Sequence, residues 1–112
     1  MSTITTHVLD TATGRPAMGV PATLELQSGV DAWAEVGRGA TDVDGRIRDL
    51  VQGPLRTGVY RLTFDTGSYF NAQGVRGFYP QVAIRFEVRD PSQHHHVPLL
   101  LSPFGYSTYR GS

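Results

Sequence analysis

The sequence predicts an all-β chain, a sandwich of two packed antiparallel sheets. Thirteen glycines and seven prolines fall between short runs rich in Val, Ile, Thr, Leu, Phe and Tyr, the arrangement of strands separated by turns. Within those runs apolar and polar residues alternate with period two rather than 3.6. There are roughly seven or eight such runs in about a hundred residues, and a single open sheet of them would leave its apolar face wet.

The first run, Ser2 to Asp10, puts Ile4, Thr6 and Val8 on one face and Thr5, His7 and Leu9 on the other, and ends in a turn at Thr13-Gly14-Arg15-Pro16. Residues 22–27 and 32–36 form a hairpin around Ser28-Gly29, with Leu24, Leu26, Trp33 or Val36 as core candidates. In the turn Asp42-Val43-Asp44-Gly45, Gly45 takes positive φ and presents Arg46 at the start of a short strand through Ile47. The loop Gln52-Gly53-Pro54 precedes a half-buried strand from Val59 to Asp65, with Tyr60, Leu62 and Phe64 on its apolar face. Alternation then lapses, and Thr66 to Gln73 is read as one short helix ended by the following glycines. Alternation resumes through Val82, Ile84, Phe86 and Val88, and again through Val97, Leu99 and Leu101. Tyr106 to Tyr109 closes the series, alternating aromatic and hydroxyl residues.

At 112 residues the chain is one domain, 1–112, with room for a single core, so a deep pocket calls for a second copy of the chain. Ten Lys plus Arg balance ten Asp plus Glu, which supplies no basic field for a phosphate backbone; nucleic acid is not an expected partner. No stretch approaches the roughly 18 to 20 apolar residues that cross a bilayer, and no targeting segment is visible at either end, so a cytoplasmic protein without a membrane partner is expected. Zero cysteines exclude disulfides, thiolate metal sites and cysteine nucleophiles.

Three side chains carry candidate chemistry. His7 lies on the polar face of the first strand and His96 on that of the strand at 95–101, so the two imidazoles converge if those strands are neighbours. Histidine, with an ordinary pKa near 6.5, suits taking a proton from water and returning it to a leaving nitrogen. Arg46 offers a planar fork for the carbonyl oxygens of a flat polar ring. Each also has a plainer reading: His7 as a hydrogen-bonded strand residue, Arg46 as a turn arginine. His94 and His96, at i and i+2, have a spacing that also suits zinc, although beyond His7 no further ligand is evident.

The combination is more specific than its members. Thr6-His7-Val8-Leu9-Asp10, Gly14-Arg15-Pro16-Ala17, Thr41-Asp42-Val43-Asp44-Gly45-Arg46, and the ending from His96-Val97-Pro98-Leu99-Leu100-Leu101-Ser102-Pro103 to Tyr109-Arg110-Gly111-Ser112 resemble consecutive signatures of the transthyretin-like hydrolases, from about Ile4 to Ser112. The resemblance implies a transthyretin-like β-sandwich of two four-stranded sheets with one short helix. It implies a homotetramer, a dimer of dimers, whose interface forms the substrate channel. It further implies hydrolysis of 5-hydroxyisourate in urate degradation, with His7, Arg46 and His96 catalytic, Tyr109 and Ser112 near the substrate, and no cofactor or metal. The terminal carboxylate of Ser112 is expected to orient Arg46 or a histidine. Transthyretin, the hormone carrier of the same fold, lacks the closing tetrapeptide and the histidines, so the resemblance favours an enzyme over a small-ligand carrier. His95 stands where the family more often has tyrosine; alternation turns it away from His96, toward packing.

Overall fold

The computed structural model describes residues 3–51 and 53–112; Gln52, in the loop expected at 52–54, lies outside the described residues, as does Ser2 of the first run. The elements are β1 (Ile4–Asp10), β2 (Arg15–Pro16), β3 (Pro21–Gly29), β4 (Ala32–Ala40), β5 (Arg46–Ile47), β6 (Gly58–Phe64), α1 (Thr66–Ala72), β7 (Val82–Val88), β8 (His95–Ser102) and β9 (Gly105–Thr108). One sheet runs β4-β3-β6-β7, antiparallel throughout. In the other the order is β2-β1-β8-β9, with β1 and β8 parallel and β5 also paired to β1. The two-sheet sandwich with one short helix is as expected, but the second sheet is not antiparallel throughout, because β1 and β8, the first and next-to-last strands, run side by side in the same direction. Its elaboration is a fifth strand in the second sheet: β2 pairs with Leu9 and Asp10 while β5 pairs with Thr6 and His7, so two two-residue strands share one edge of β1.

Alternation decides which face each strand buries. Tyr60, Leu62 and Phe64 from β6 meet Val82, Ile84 and Val88 from β7, Ile4 and Val8 from β1, and Val97, Leu99 and Leu101 from β8 in one core. Each side chain of this size contributes about 1.5–3 kcal/mol when fully buried, enough to make a one-residue slip of any strand prohibitive. The polar end of Tyr60 is satisfied inside the core: its hydroxyl donates to the Arg56 carbonyl at 2.7 Å and accepts from the Arg56 N–H at 3.2 Å.

Of the hairpin candidates Leu24 is fully buried and Leu26 and Val36 pack against the core, whereas Trp33 does not enter it. Trp33 lies on the outer face, with the Arg61 guanidinium 4.3 Å from its ring centroid and that of Arg85 at 5.3 Å. A large ring placed beside two guanidiniums gains cation–π attraction without entering the sandwich, which periodicity alone does not reveal.

α1 forms where the period-two pattern lapses because Asp65 caps it, its carboxylate accepting from the Ser68 N–H at 3.1 Å. The helix is tied to the other sheet by Tyr69, whose hydroxyl donates to the buried Asp10 carboxylate at 2.8 Å. Burial first, then the Asp10 carboxylate, push the Tyr69 hydroxyl above its ordinary pKa. Asp10 also accepts from the N–H groups of Ala12 and Thr13, at 3.0 and 3.2 Å, and so shapes the turn after β1.

Candidate active site

The parallel β1–β8 ladder sets Thr5 opposite His96 and His7 opposite Pro98. Across the other edge of β1, His7 stands opposite Arg46 on β5. Side chains of one strand that are two apart share a face, so Thr5 and His7 project from the same side, and His96 is the diagonal neighbour of His7. The condition on which the sequence reading depended, adjacency of the first strand and the strand carrying His96, is met.

Arg46 is held by its turn. The Asp42 carboxylate accepts from the Asp44 N–H at 2.9 Å, from the Arg46 N–H at 3.0 Å and from the Arg48 guanidinium at 2.8 Å. The Arg46 backbone donor is the main reason this carboxyl titrates below its usual range. Gly45 completes the turn with φ +76° and brings its carbonyl to 2.7 Å from the Val8 N–H. A Cβ here would sit 2.5 Å from the Val8 carbonyl, so glycine is required twice over, by conformation and by space. Thr41, buried just before the turn, donates to the Ala17 carbonyl at 2.6 Å and accepts from the Val20 N–H at 2.8 Å, anchoring the loop to the body. The Arg48 guanidinium pairs with Asp42; among the described residues no carboxylate pairs with that of Arg46, which is left free for a ligand.

His96 is the most tightly built member. Its Nδ1 lies 2.7 Å from Thr5 Oγ1, and the same oxygen lies 2.8 Å from His94 Nε2. On the far side Gly111 bridges to its backbone, the Gly111 N–H donating to the His96 carbonyl at 2.9 Å. A Cβ on Gly111 would stand 2.5 Å from His96 Cδ2, so the ring lies flat against bare backbone. Burial, then the charges of Arg46, His7 and His94, hold the His96 imidazole below its ordinary pKa. A ring so shifted favours its neutral form, which can accept a proton.

Thr5, Thr6, Arg46, Ile47, Arg48, His94, His96 and Ser112 line an open cleft of about 400 Å³. Arg46, His96 and Ser112 thus meet at one cavity; His7, opposite Arg46 on β1, does not itself line it. Tyr109 lines a separate cavity of about 190 Å³, bounded by Arg85, Glu87 and His95, with His96 common to both. His95 is buried on the core side of β8, and burial pushes its pKa down. Among the described residues no three His, Asp or Glu side chains gather as a metal-binding group. Thr5 and the contact it makes with His94 were absent from the sequence reading of the site. Thr5 shares its face with His7 by simple alternation, and that signal was available. No helix among the described residues is long and apolar enough to cross a membrane.

A sandwich with one short helix, carrying His7 and His96 on its parallel strand pair and Arg46 on the short strand beside it, defines the class: the chain belongs to the HIUase/Transthyretin family, whose pattern matches residues 4–111. Among particular proteins, the chain is similar to the 5-hydroxyisourate hydrolase of Caulobacter vibrioides, 46% identical over 117 residues and covering 100% of both chains. It is similar in structure to the 5-hydroxyisourate hydrolase of Klebsiella pneumoniae, with a TM-score of 0.88, 38% identity and 100% of both chains covered. Sea bream transthyretin in complex with thyroxine superposes with a TM-score of 0.89 at 32% identity, over 96% of this chain and 93% of that one.

Proposed function

We propose that the chain is a 5-hydroxyisourate hydrolase of urate degradation, opening the oxidised purine ring to 2-oxo-4-hydroxy-4-carboxy-5-ureidoimidazoline. The observation that carries the reading is the cleft that His96 shares with an unpaired Arg46, itself directly opposite His7. In this mechanism an imidazole takes a proton from water as the water oxygen bonds to the ring carbonyl carbon. Arg46 holds the carbonyl oxygens of the flat substrate and stabilises negative charge as the tetrahedral intermediate forms. Collapse breaks the ring carbon–nitrogen bond, and the imidazolium returns the proton to the leaving nitrogen. The product carries a new carboxylate.

Ser112 contributes to the substrate cleft directly. Tyr109, in the adjoining cavity, contributes through assembly: a homotetramer built as a dimer of dimers would enclose a cleft that one chain leaves open. The same reading places the enzyme in the cytoplasm and requires no metal or cofactor. Following the ultraviolet loss of freshly generated 5-hydroxyisourate with and without the protein tests the activity, and sedimentation tests the assembly. The similarity to a thyroxine-bound carrier favours one rival, a non-catalytic small-ligand carrier, which retains the tetramer and leaves the spontaneous decay of substrate unchanged.

A further inference from the structure

Thr5 has one hydroxyl and two imidazole neighbours. A threonine hydroxyl has a single proton to donate, so its contacts with His96 Nδ1 at 2.7 Å and His94 Nε2 at 2.8 Å must be ordered: it donates to one ring and accepts from the other, or accepts from both. The order fixes which His96 nitrogen carries the proton in the neutral ring, and hence whether the other nitrogen presents a lone pair or a donor.

Two observations set the direction. The His96 nitrogen held by the protein is Nδ1, at the Thr5 hydroxyl, so a ring that takes a proton from water at its free nitrogen carries its own proton on Nδ1. Nε2, in contrast, has no hydrogen-bond partner among the described residues and is not buried. Gly111 removes the remaining freedom, because the ring packs against its Cα where any Cβ would collide with Cδ2. The ring can therefore neither flip nor swing without breaking the Thr5 contact.

We infer that Thr5 is a positioning residue: His96 Nδ1–H donates to Thr5 Oγ1, the Thr5 hydroxyl donates to His94 Nε2, and His96 Nε2 is thereby held as the open lone pair that serves as the general base. This rests on the hydrolase reading of the cleft and names the base within it. His94 acts as the terminal acceptor that keeps the Thr5 proton turned away from His96. Removing that acceptor frees the hydroxyl to donate to Nδ1, which accepts only in the opposite tautomer. Gly111 acts as the flat wall.

The experiment combines nitrogen NMR of histidine-labelled protein with kinetics on the intact chain. In the wild type near neutral pH the His96 proton resides on Nδ1. Thr5→Val keeps the β-branched shape and loses the hydroxyl; it shifts His96 toward the Nε2–H tautomer and lowers kcat on the order of 10–100-fold, the effect typical of removing a partner that orients a functional histidine. KM stays within about twofold, because the substrate contacts of Arg46 are untouched. Thr5→Ser restores the tautomer and most of kcat, and His94→Ala gives mixed tautomers. A wild-type proton on Nε2 overturns the inference, as do equal losses in Thr5→Val and Thr5→Ser, or a Thr5→Val protein with unchanged tautomer and kcat. A wild type with the Nδ1 proton but no turnover of 5-hydroxyisourate overturns the hydrolase reading and leaves the tautomer assignment standing.

Discussion

Replacing Gly45 by alanine tests whether the turn, and not only Arg46, builds the site. Alanine at φ +76° in the left-handed region costs about 1–2 kcal/mol. Its Cβ would also lie 2.5 Å from the Val8 carbonyl, so the strand pair must part and the 2.7 Å bond from the Val8 N–H to the Gly45 carbonyl is weakened. Losing that bond adds roughly 1 kcal/mol. The expected total is about 2–3 kcal/mol, a fall in Tm on the order of 10 °C for a chain of this size. Gly14→Ala supplies the control, because Gly14 has φ +73° but nothing within 4 Å of its would-be Cβ. It carries the conformational cost alone, about 1–2 kcal/mol, and its melting temperature falls by roughly half as much. The functional consequence differs more sharply. Arg46 follows Gly45 and stands opposite His7, so opening the β1–β5 pair displaces the guanidinium, and a misplacement near 1 Å lowers turnover about 100-fold. Thermal unfolding by circular dichroism and substrate decay measured well below both transitions provide the readouts. Equal melting and equal kcat/KM for the two variants would refute the argument that close approach at Gly45 sets the position of Arg46.

Three further outcomes follow from the same geometry. Arg46→Lys keeps the charge and loses the fork, and kcat/KM is expected to fall at least tenfold with an unchanged melting temperature. Because burial, Arg46, His7 and His94 all depress the His96 pKa, its neutral form persists below the ordinary histidine range; activity is retained above that lowered pKa and lost as pH falls through it, and an NMR titration of Arg46→Gln should show the His96 pKa moving upward. Tyr69→Phe withdraws a donor from the buried Asp10 carboxylate, and denaturant unfolding should show a loss of about 1–3 kcal/mol while turnover at a temperature below the transition stays near the parent's.

The strands legible in the sequence were those long enough to display a period. β6 and β8 each bury three alternating apolar residues on one face, and each was read on the correct face. The two-residue strand β2 was not legible as a sheet member, since two residues carry no period, whereas β5 was read as a short strand from Arg46 through Ile47 on the strength of the Gly45 turn before it. α1 was visible because alternation lapsed, while Asp65, read as the end of the preceding strand, is in fact its cap. Trp33 was offered to the core by its size and went outside because Arg61 and Arg85 flank it across the sheet, a long-range fact. The convergence of His7 and His96 was legible only as a condition on strand order. The bridge through Thr5 needed atomic distances, because nothing in a threonine's identity announces which neighbours its hydroxyl joins.

The parallel pairing of β1 with β8 has a consequence for how the protein comes into being. Thr5 meets His94 and His96 across sequence separations of 89 and 91 residues, so almost the whole chain must emerge and close on itself before the proton-handling groups first touch. Such late, distant closure is slow compared with hairpin formation. A lone sheet of β3, β4, β6 and β7 would leave its apolar face wet and be inert, so recovery of turnover during refolding marks the docking of β1 against β8.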